Sequence, residues 1–102
     1  MNCKMIKIVV KQYIKQDQID NFIELVRELV KKTRELDAGC IEYGLFQDLN
    51  NPQILTFIEE WESQEALDKH MAADHFKEIV PKLDAFQEKP GETNFYRSTD
   101  EK

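Results

Sequence analysis

The spacing of apolar residues changes its period along the first third of the chain. Residues 4–14, "KMIKIVVKQYI", carry apolar side chains on both parities, which predicts a strand with two partly apolar faces. Residues 17–36 switch to helical spacing, with Asp17 as the expected N-cap. Gly39 can adopt the left-handed conformation that stops a helix. This part of the chain is therefore predicted to be a strand followed by an amphipathic helix.

The middle of the chain predicts a hairpin. The apolar runs "CIEYGLFQ", at 40–47, and "ILTFIEEW", at 54–61, flank the turn segment "DLNNPQ". Two short runs of this kind around a cluster of turn residues are typical of antiparallel strands joined by a loop.

The last third predicts two helices and a closing strand. Ser63 is a good N-cap for a short helix to about residue 71, and a second helical pattern runs from about 74 to 88. Pro81 lies inside that pattern and should kink or end the helix, because proline removes a backbone donor. Residues 91–98, "GETNFYRS", can form the last strand.

The order of these elements predicts the fold class. Strand, helix, strand, strand, helix, strand is the order of the ferredoxin-like βαββαβ unit, an α+β fold with an antiparallel sheet and helices on one face. We expect one domain over residues 1–98 and a flexible tail at 99–102, since the chain has 102 residues.

Large apolar side chains remain on the open face of this sheet whichever face the helices cover. The alternatives along the strands are Tyr13 or Ile8, Tyr43 or Phe46, Phe57 or Ile58, and Phe95 or Tyr96. Monomers rarely expose large contiguous apolar patches, so we predict a homodimer that joins two sheets into a dimeric α+β barrel. A solvated face with scattered aromatic residues is the alternative.

Composition excludes several classes of protein. The chain has 14 Lys and Arg against 20 Asp and Glu, a net charge of −6, so we do not expect nucleic-acid binding. No stretch resembles a signal peptide or a membrane span, which predicts a cytoplasmic protein without membrane contact. The three glycines form no phosphate-binding motif, so no nucleotide cofactor is expected. Cys3 and Cys40 are expected to be free thiols.

Residues 59–76, "EEWESQEALDKHMAADHF", contain the only tryptophan of the chain, Trp61, and both of its histidines, His70 and His75. On one unbroken helix His70 and His75 would lie about 140° apart, too far for a shared metal, although a helix break could realign them. The side chains that would complete a zinc site carry no spacing signature: Cys3, Cys40 and Glu59. We therefore predict no metal. Each histidine is either hydrogen-bonded at a helix end or a general base, the role that a near-neutral pKa favours.

Aromatic residues gather where the third predicted strand meets the following helix. Trp61 either packs in the core at this corner or lines a pocket for a flat apolar ligand. Glu59 shares its strand face and is either solvated or directed into that pocket, where it must be paired or protonated. The other candidates for contact with such a ligand are Tyr43, Phe57 and Phe76.

The same stretch resembles a known family. The pattern E-x-W, then S-x-E-A-L, H and H-F is similar to the antibiotic biosynthesis monooxygenase domain, which includes quinol monooxygenases. The matching residues are Glu59, Trp61, Ser63, Glu65, Ala66, Leu67, His70, His75 and Phe76. "AGCIEY" also resembles the family's entry to the second strand. Asp37 and Ala38 replace a frequent Glu-Pro pair, a change expected to affect only the loop.

This resemblance implies a dimeric ferredoxin-like protein with a pocket between sheet and helices. It also implies oxidation of a small phenolic or quinol substrate by O₂ without metal or flavin, the deprotonated substrate supplying the electrons. Trp61 would line the pocket, and His70 or His75 would act as base or hydrogen-bond donor.

Two other functions remain open, because one fold hosts many chemistries. The family's isomerase of a phosphorylated autoinducer sugar would need a basic anchor such as Lys69, Lys77 or Arg97. A non-catalytic binding or stress-response barrel is the second alternative. The family's heme-degrading branch carries an Asn on its first strand. The first strand here, "MIKIVVKQYI", contains no Asn, which argues against heme degradation.

Overall fold

A computed structural model describes residues 5–100 and shows a four-stranded antiparallel sheet with the strand order β2-β3-β1-β4. The strands are β1 (Ile6–Ile14), β2 (Cys40–Gln47), β3 (Ile54–Trp61) and β4 (Gln87–Arg97), and the helices are α1 (Ile19–Leu36), α2 (Gln64–Met71) and α3 (Asp74–Leu83). The predicted ferredoxin-like α+β fold is confirmed. Cys3 and the last two residues of the predicted tail lie outside the described residues.

The helices cover one face of the sheet, and the core lies between them. Alternate residues of β1 and β3 point into it, as the period of two along a strand requires. The buried apolar side chains of these two strands and of α1 are Ile8, Ile14, Leu55, Phe57, Trp61, Phe22, Val26 and Leu29. Burying such side chains supplies the main driving force for this layer packing.

The outer face of the sheet, on the opposite parity, is only partly covered. Val9 lies opposite Ile58, and both are half-buried. Phe46 and Tyr96 are exposed to 49% and 51%. The ion pair between Lys7 and Glu60, 3.1 Å apart, lies in the same two central strands. The helices therefore leave this face with a mixture of apolar and charged side chains.

Several predicted boundaries shift in the structure. The prediction that Asp17 caps α1 is wrong, because a 3₁₀ turn occupies Gln16–Gln18 and no described side chain caps the helix at Ile19. By contrast, Ser63 caps α2 as predicted, its Oγ accepting from the backbone N–H of Ala66 at 3.2 Å. Gly39 has the predicted positive φ of 84°.

The second helix of the last third is shorter than predicted. It ends at Leu83, two residues after Pro81, and a 3₁₀ turn follows over Asp84–Phe86. β4 then starts at Gln87 rather than at residue 91, because Gln87 already pairs with Ile14 of β1. Tertiary pairing thus extends the strand through a proline, which an edge strand tolerates.

No helix among residues 5–100 is both long and apolar enough to span a membrane.

Candidate functional site

A cavity of about 330 Å³ lies between the inner face of the sheet and the helices α2 and α3. Its wall includes five of the seven predicted site residues: Tyr43, Phe57, Glu59, His70 and Phe76. The structure does not place Trp61 or His75 in that wall. Mostly apolar walls with a few polar groups are typical of small-molecule sites.

His70 is held in the cavity wall from several sides. Its Nδ1 lies 2.6 Å from Oδ2 of Asp37. The Trp61 ring lies at a centroid distance of 4.5 Å, Phe76 at 5.0 Å and Tyr43 at 5.2 Å, the last two edge-on. These contacts fix the rotamer of His70, which is 1% exposed. Trp61 therefore contributes to the site by packing against the His70 ring and restricting its movement.

Asp37 reaches His70 because the loop after α1 packs tightly against α2. A side chain at Gly39 would overlap the methyl group of Ala66, so only glycine allows this approach. The backbone N–H of Glu62 also donates to the carbonyl of Gly39 at 2.9 Å. The expectation that the replacement of the frequent Glu-Pro pair affects only the loop is wrong, because the carboxylate of Asp37 contacts His70.

The break between α2 and α3 brings the second histidine to the same carboxylate. The N–H of Ala73 donates to the carbonyl of His70 at 3.1 Å, and α3 begins at Asp74. His75 Nε2 then lies 2.9 Å from Oδ2 of Asp37. The two rings, which an unbroken helix would separate by about 140°, share one acceptor oxygen.

This arrangement determines which nitrogen of His70 is free. A carboxylate only accepts hydrogen bonds, so Nδ1 of His70 donates to Asp37 and the neutral ring keeps a lone pair on Nε2. Nε2 is buried and has no partner among the described residues. Burial lowers the pKa of His70, against the raising effect of Asp37. The ring is thus set up as a neutral base.

Glu59 is the second acid-base group of the cavity. Trp61 Nε1 donates to Oε1 of Glu59 at 3.0 Å. Burial raises the pKa of Glu59 from 4.5 to about 7, although the Trp61 hydrogen bond lowers it. Near neutral pH this carboxyl can both give and take a proton.

Two other ionisable side chains near the site stay neutral. Burial raises the pKa of Cys40 to about 11, so it is a thiol at neutral pH and a poor nucleophile. Burial also raises the pKa of Tyr43, whose ring packs edge-on against Trp61. Neither residue competes with His70 as the base.

One group of side chains has the composition of a metal site. The ligand atoms of Asp37, His70 and His75 lie within 4.8 Å of one another. Tetrahedral zinc, with bonds of about 2.0–2.1 Å, would hold its ligand atoms about 3.3 Å apart. Here one oxygen lies 2.6 and 2.9 Å from the two ring nitrogens, which are hydrogen-bond lengths. The geometry fits protonated N–H donors better than metal ligands.

Together these features define a class of protein: a ferredoxin-like α+β domain with an aromatic cavity and a buried His–Asp pair. Comparison with known families gives the same answer. The sequence profile of the antibiotic biosynthesis monooxygenase family matches residues 5–82. The chain belongs to this family, as its sequence resemblance predicted.

Individual relatives agree with this assignment. A conserved protein from Methanosarcina mazei Go1 is 40% identical over 95% of each chain, with a TM-score of 0.90. A crystal structure described as an antibiotic biosynthesis monooxygenase is 38% identical over 93% of this chain and 99% of its own, with a TM-score of 0.86. The uncharacterized protein sll1783 of Synechocystis is 31% identical over 84 residues, which are 82% of this chain. The matched region spans 56% of that relative.

Proposed function

We propose that the protein is a cofactor-independent monooxygenase that oxidises a small aromatic diol with O₂, using His70 as the base. The observation that carries this proposal is the buried His70 ring in the wall of an aromatic cavity, with Nδ1 bound to Asp37 and Nε2 without a partner within residues 5–100. Family membership and the relative described as an antibiotic biosynthesis monooxygenase support it.

The first step is removal of a phenolic proton. Nε2 of His70 takes the proton, and the positive imidazolium that forms is stabilised by the Asp37 carboxylate 2.6 Å from Nδ1. The phenolate is electron-rich enough to reduce O₂ directly. One oxygen atom then bonds to a ring carbon that loses its hydrogen, and the other leaves as water. The diol becomes a hydroxyquinone, so the substrate supplies all four electrons.

Glu59 completes the proton balance of this reaction. With a pKa of about 7, a fraction of Glu59 is protonated at neutral pH and can give a proton to the oxygen that leaves as water. The Trp61 indole, at 3.0 Å, holds this carboxyl in place. Trp61 is thus a positioning residue, since it also packs against His70.

Oxygen uptake by metal-free protein tests the proposal. With a panel of dihydroxynaphthalenes and dihydroxybenzenes, at least one diol should be converted faster than it oxidises in buffer, giving the hydroxyquinone and water. His70→Ala should reduce this rate at least 100-fold, whereas the neighbouring variant Lys69→Ala, whose side chain is 73% exposed, should retain it. Enzyme rates equal to the buffer rate for every diol, or full activity of His70→Ala, would rule the proposal out.

The cavity gives the sugar-phosphate isomerase alternative no support. Among the described residues, no Lys or Arg lines the cavity wall. Lys69, one of the predicted anchors, points to solvent and pairs with Glu65 at 3.8 Å. A buried phosphate without a cation partner would be costly. A neutral aromatic ligand matches the wall better.

We also propose that two copies of the chain associate through the outer face of the sheet. The half-buried Val9 and Ile58, with the exposed rings of Phe46 and Tyr96, are the apolar residues that a second sheet would cover. Charged residues are depleted at the centre of such interfaces, but Lys7 and Glu60 pair with each other at 3.1 Å, so a second sheet would cover a neutralised ion pair.

A further inference from the structure

One buried polar side chain in the cavity has no role in the chemistry described above. Gln12 lines the cavity and is 9% exposed. Its Oε1 is buried and accepts no hydrogen bond from a described residue. Buried polar atoms are nearly always satisfied, and an unsatisfied one destabilises the fold. The partner of this oxygen must therefore come from the contents of the cavity.

The backbone pairing beside Gln12 is irregular. Lys11 pairs with Glu92 of β4 and Tyr13 pairs with Lys89, so Pro90 and Gly91 lie together opposite Gln12 as a β-bulge. A side chain at Gly91 would overlap the carbonyl oxygen of Lys11. Gly91 also lines the cavity. Bulges commonly re-aim side chains beside binding sites.

Gln12 and the acid-base groups lie at opposite ends of the cavity. Glu59 pairs with Ile8 of β1, whereas Gln12 pairs with Leu55, four residues further along the same face. That offset corresponds to about 13 Å along the strand. Val10 and Phe57 pair with each other between the two ends and also line the cavity. The site therefore has a polar group at each end and an apolar middle.

We infer that Gln12 is a specificity-determining residue whose Oε1 accepts a hydrogen bond from a second hydroxyl, at the far end of the substrate. This inference rests on the proposed function and narrows it. The substrate class is an elongated aromatic compound of about two fused rings with hydroxyl groups at opposite ends. One hydroxyl meets His70, the rings pack between Val10 and Phe57, and the other hydroxyl meets Gln12.

The chemistry at this end selects a hydrogen-bond donor. A site built around a buried acceptor discriminates strongly against an analogue that lacks the matching donor, because the acceptor is then left unpaired. A methionine at position 12 would have nearly the same shape and no unpaired oxygen. The amide thus serves recognition and not packing.

Binding of naphthalene-2,6-diol, 2-naphthol and 6-methoxy-2-naphthol tests the inference. Affinities are measured under argon by calorimetry, so that no oxidation is needed. The protein should bind the diol at least tenfold more tightly than either of the others, since the methoxy compound keeps the oxygen but cannot donate. Gln12→Met should weaken diol binding to the level of 2-naphthol and leave the other two affinities within twofold. The matched control Gln16→Met, an exposed glutamine in the turn before α1, should behave as the parent chain.

The outcomes separate this inference from the proposed reaction. Equal affinities for the three ligands, binding of none of them, or a diol preference that survives Gln12→Met would each overturn the role of Gln12. The comparison of ligands on the unaltered chain decides the question even if Gln12→Met folds poorly. A diol preference that depends on Gln12, in a protein that consumes no O₂ with any diol, would confirm the inference and refute the oxidation.

Discussion

The two faces of the sheet are built from the same strands and differ in how their polar groups are satisfied. On the inner face, Glu59 is bonded to Trp61 and two histidines share Asp37, and all of these side chains are buried. On the outer face, the pair of Lys7 and Glu60 is partly exposed. Because electrostatic effects grow as water is excluded, the inner face can shift pKa values and carry chemistry. The outer face is suited to association.

The largest expected effect comes from removing the charge that orients His70. Asp37→Asn keeps the side-chain shape but replaces a carboxylate, which only accepts hydrogen bonds, with an amide that also donates them. The tautomer of His70 is then no longer fixed, and its imidazolium form loses the stabilising negative charge. We expect diol oxidation to fall at least 100-fold with the helical circular dichroism unchanged. Glu35→Gln, an exposed carboxylate in the same segment, should retain activity. Equal activity of the Asp37 and Glu35 variants would remove Asp37 from the mechanism.

The next effect is on stability and concerns Glu59. Its pKa is about 7 when folded and 4.5 ordinarily. As pH rises from about 4.5 to 7, the unfolded chain loses this proton before the folded one, so stability falls, by on the order of 3 kcal/mol. Glu59→Gln has no proton to lose here, so above pH 7 it should be more stable than the parent chain. Urea unfolding at pH 5 and pH 8 measures the free energy of unfolding of both chains.

The matched variant for this measurement is Glu60→Gln, the neighbouring residue on the outer face. It shows what the same substitution does where the carboxyl is not enclosed. If the stability curves of Glu59→Gln and the parent chain run parallel from pH 5 to pH 8, Glu59 does not hold its proton as described.

Ile58→Glu is expected to have the smallest effect on the cavity. It tests whether two copies of the chain associate through the outer face. A charge beside Val9 should prevent two sheets from packing and convert a dimer into a monomer, as measured by light scattering after gel filtration. Binding of ligand in the cavity should change little. Leu49→Glu, at a 99% exposed loop position, should leave the mass unchanged. A parent chain that is already monomeric at micromolar concentration would refute the proposed dimer.

Much of the fold was predictable because it depends on local patterns. Element order, the Ser63 cap and the turn at Gly39 all follow from residues within a few positions of one another. The extension of β4 to Gln87 was missed because it depends on pairing with Ile14, which is distant in sequence.

The site was predictable only in part, for the same reason. The crowding of Glu59, His70 and Phe76 was visible in the sequence. Asp37 was missed because a packed loop, and no spacing motif, brings it to the histidines. Gln12 was missed, although a signal existed: it shares the strand parity of Ile8 and Ile14, which the structure buries.

Nitrogen-15 NMR of the imidazole rings tests the central claim, that His70 is a neutral base with a free Nε2, most directly. The account predicts that His70 is protonated on Nδ1 alone at pH 7 and gains its second proton only at a pH below 6.5, the ordinary histidine pKa. A His70 ring protonated on Nε2 at pH 7, or one that titrates above pH 6.5, would contradict it.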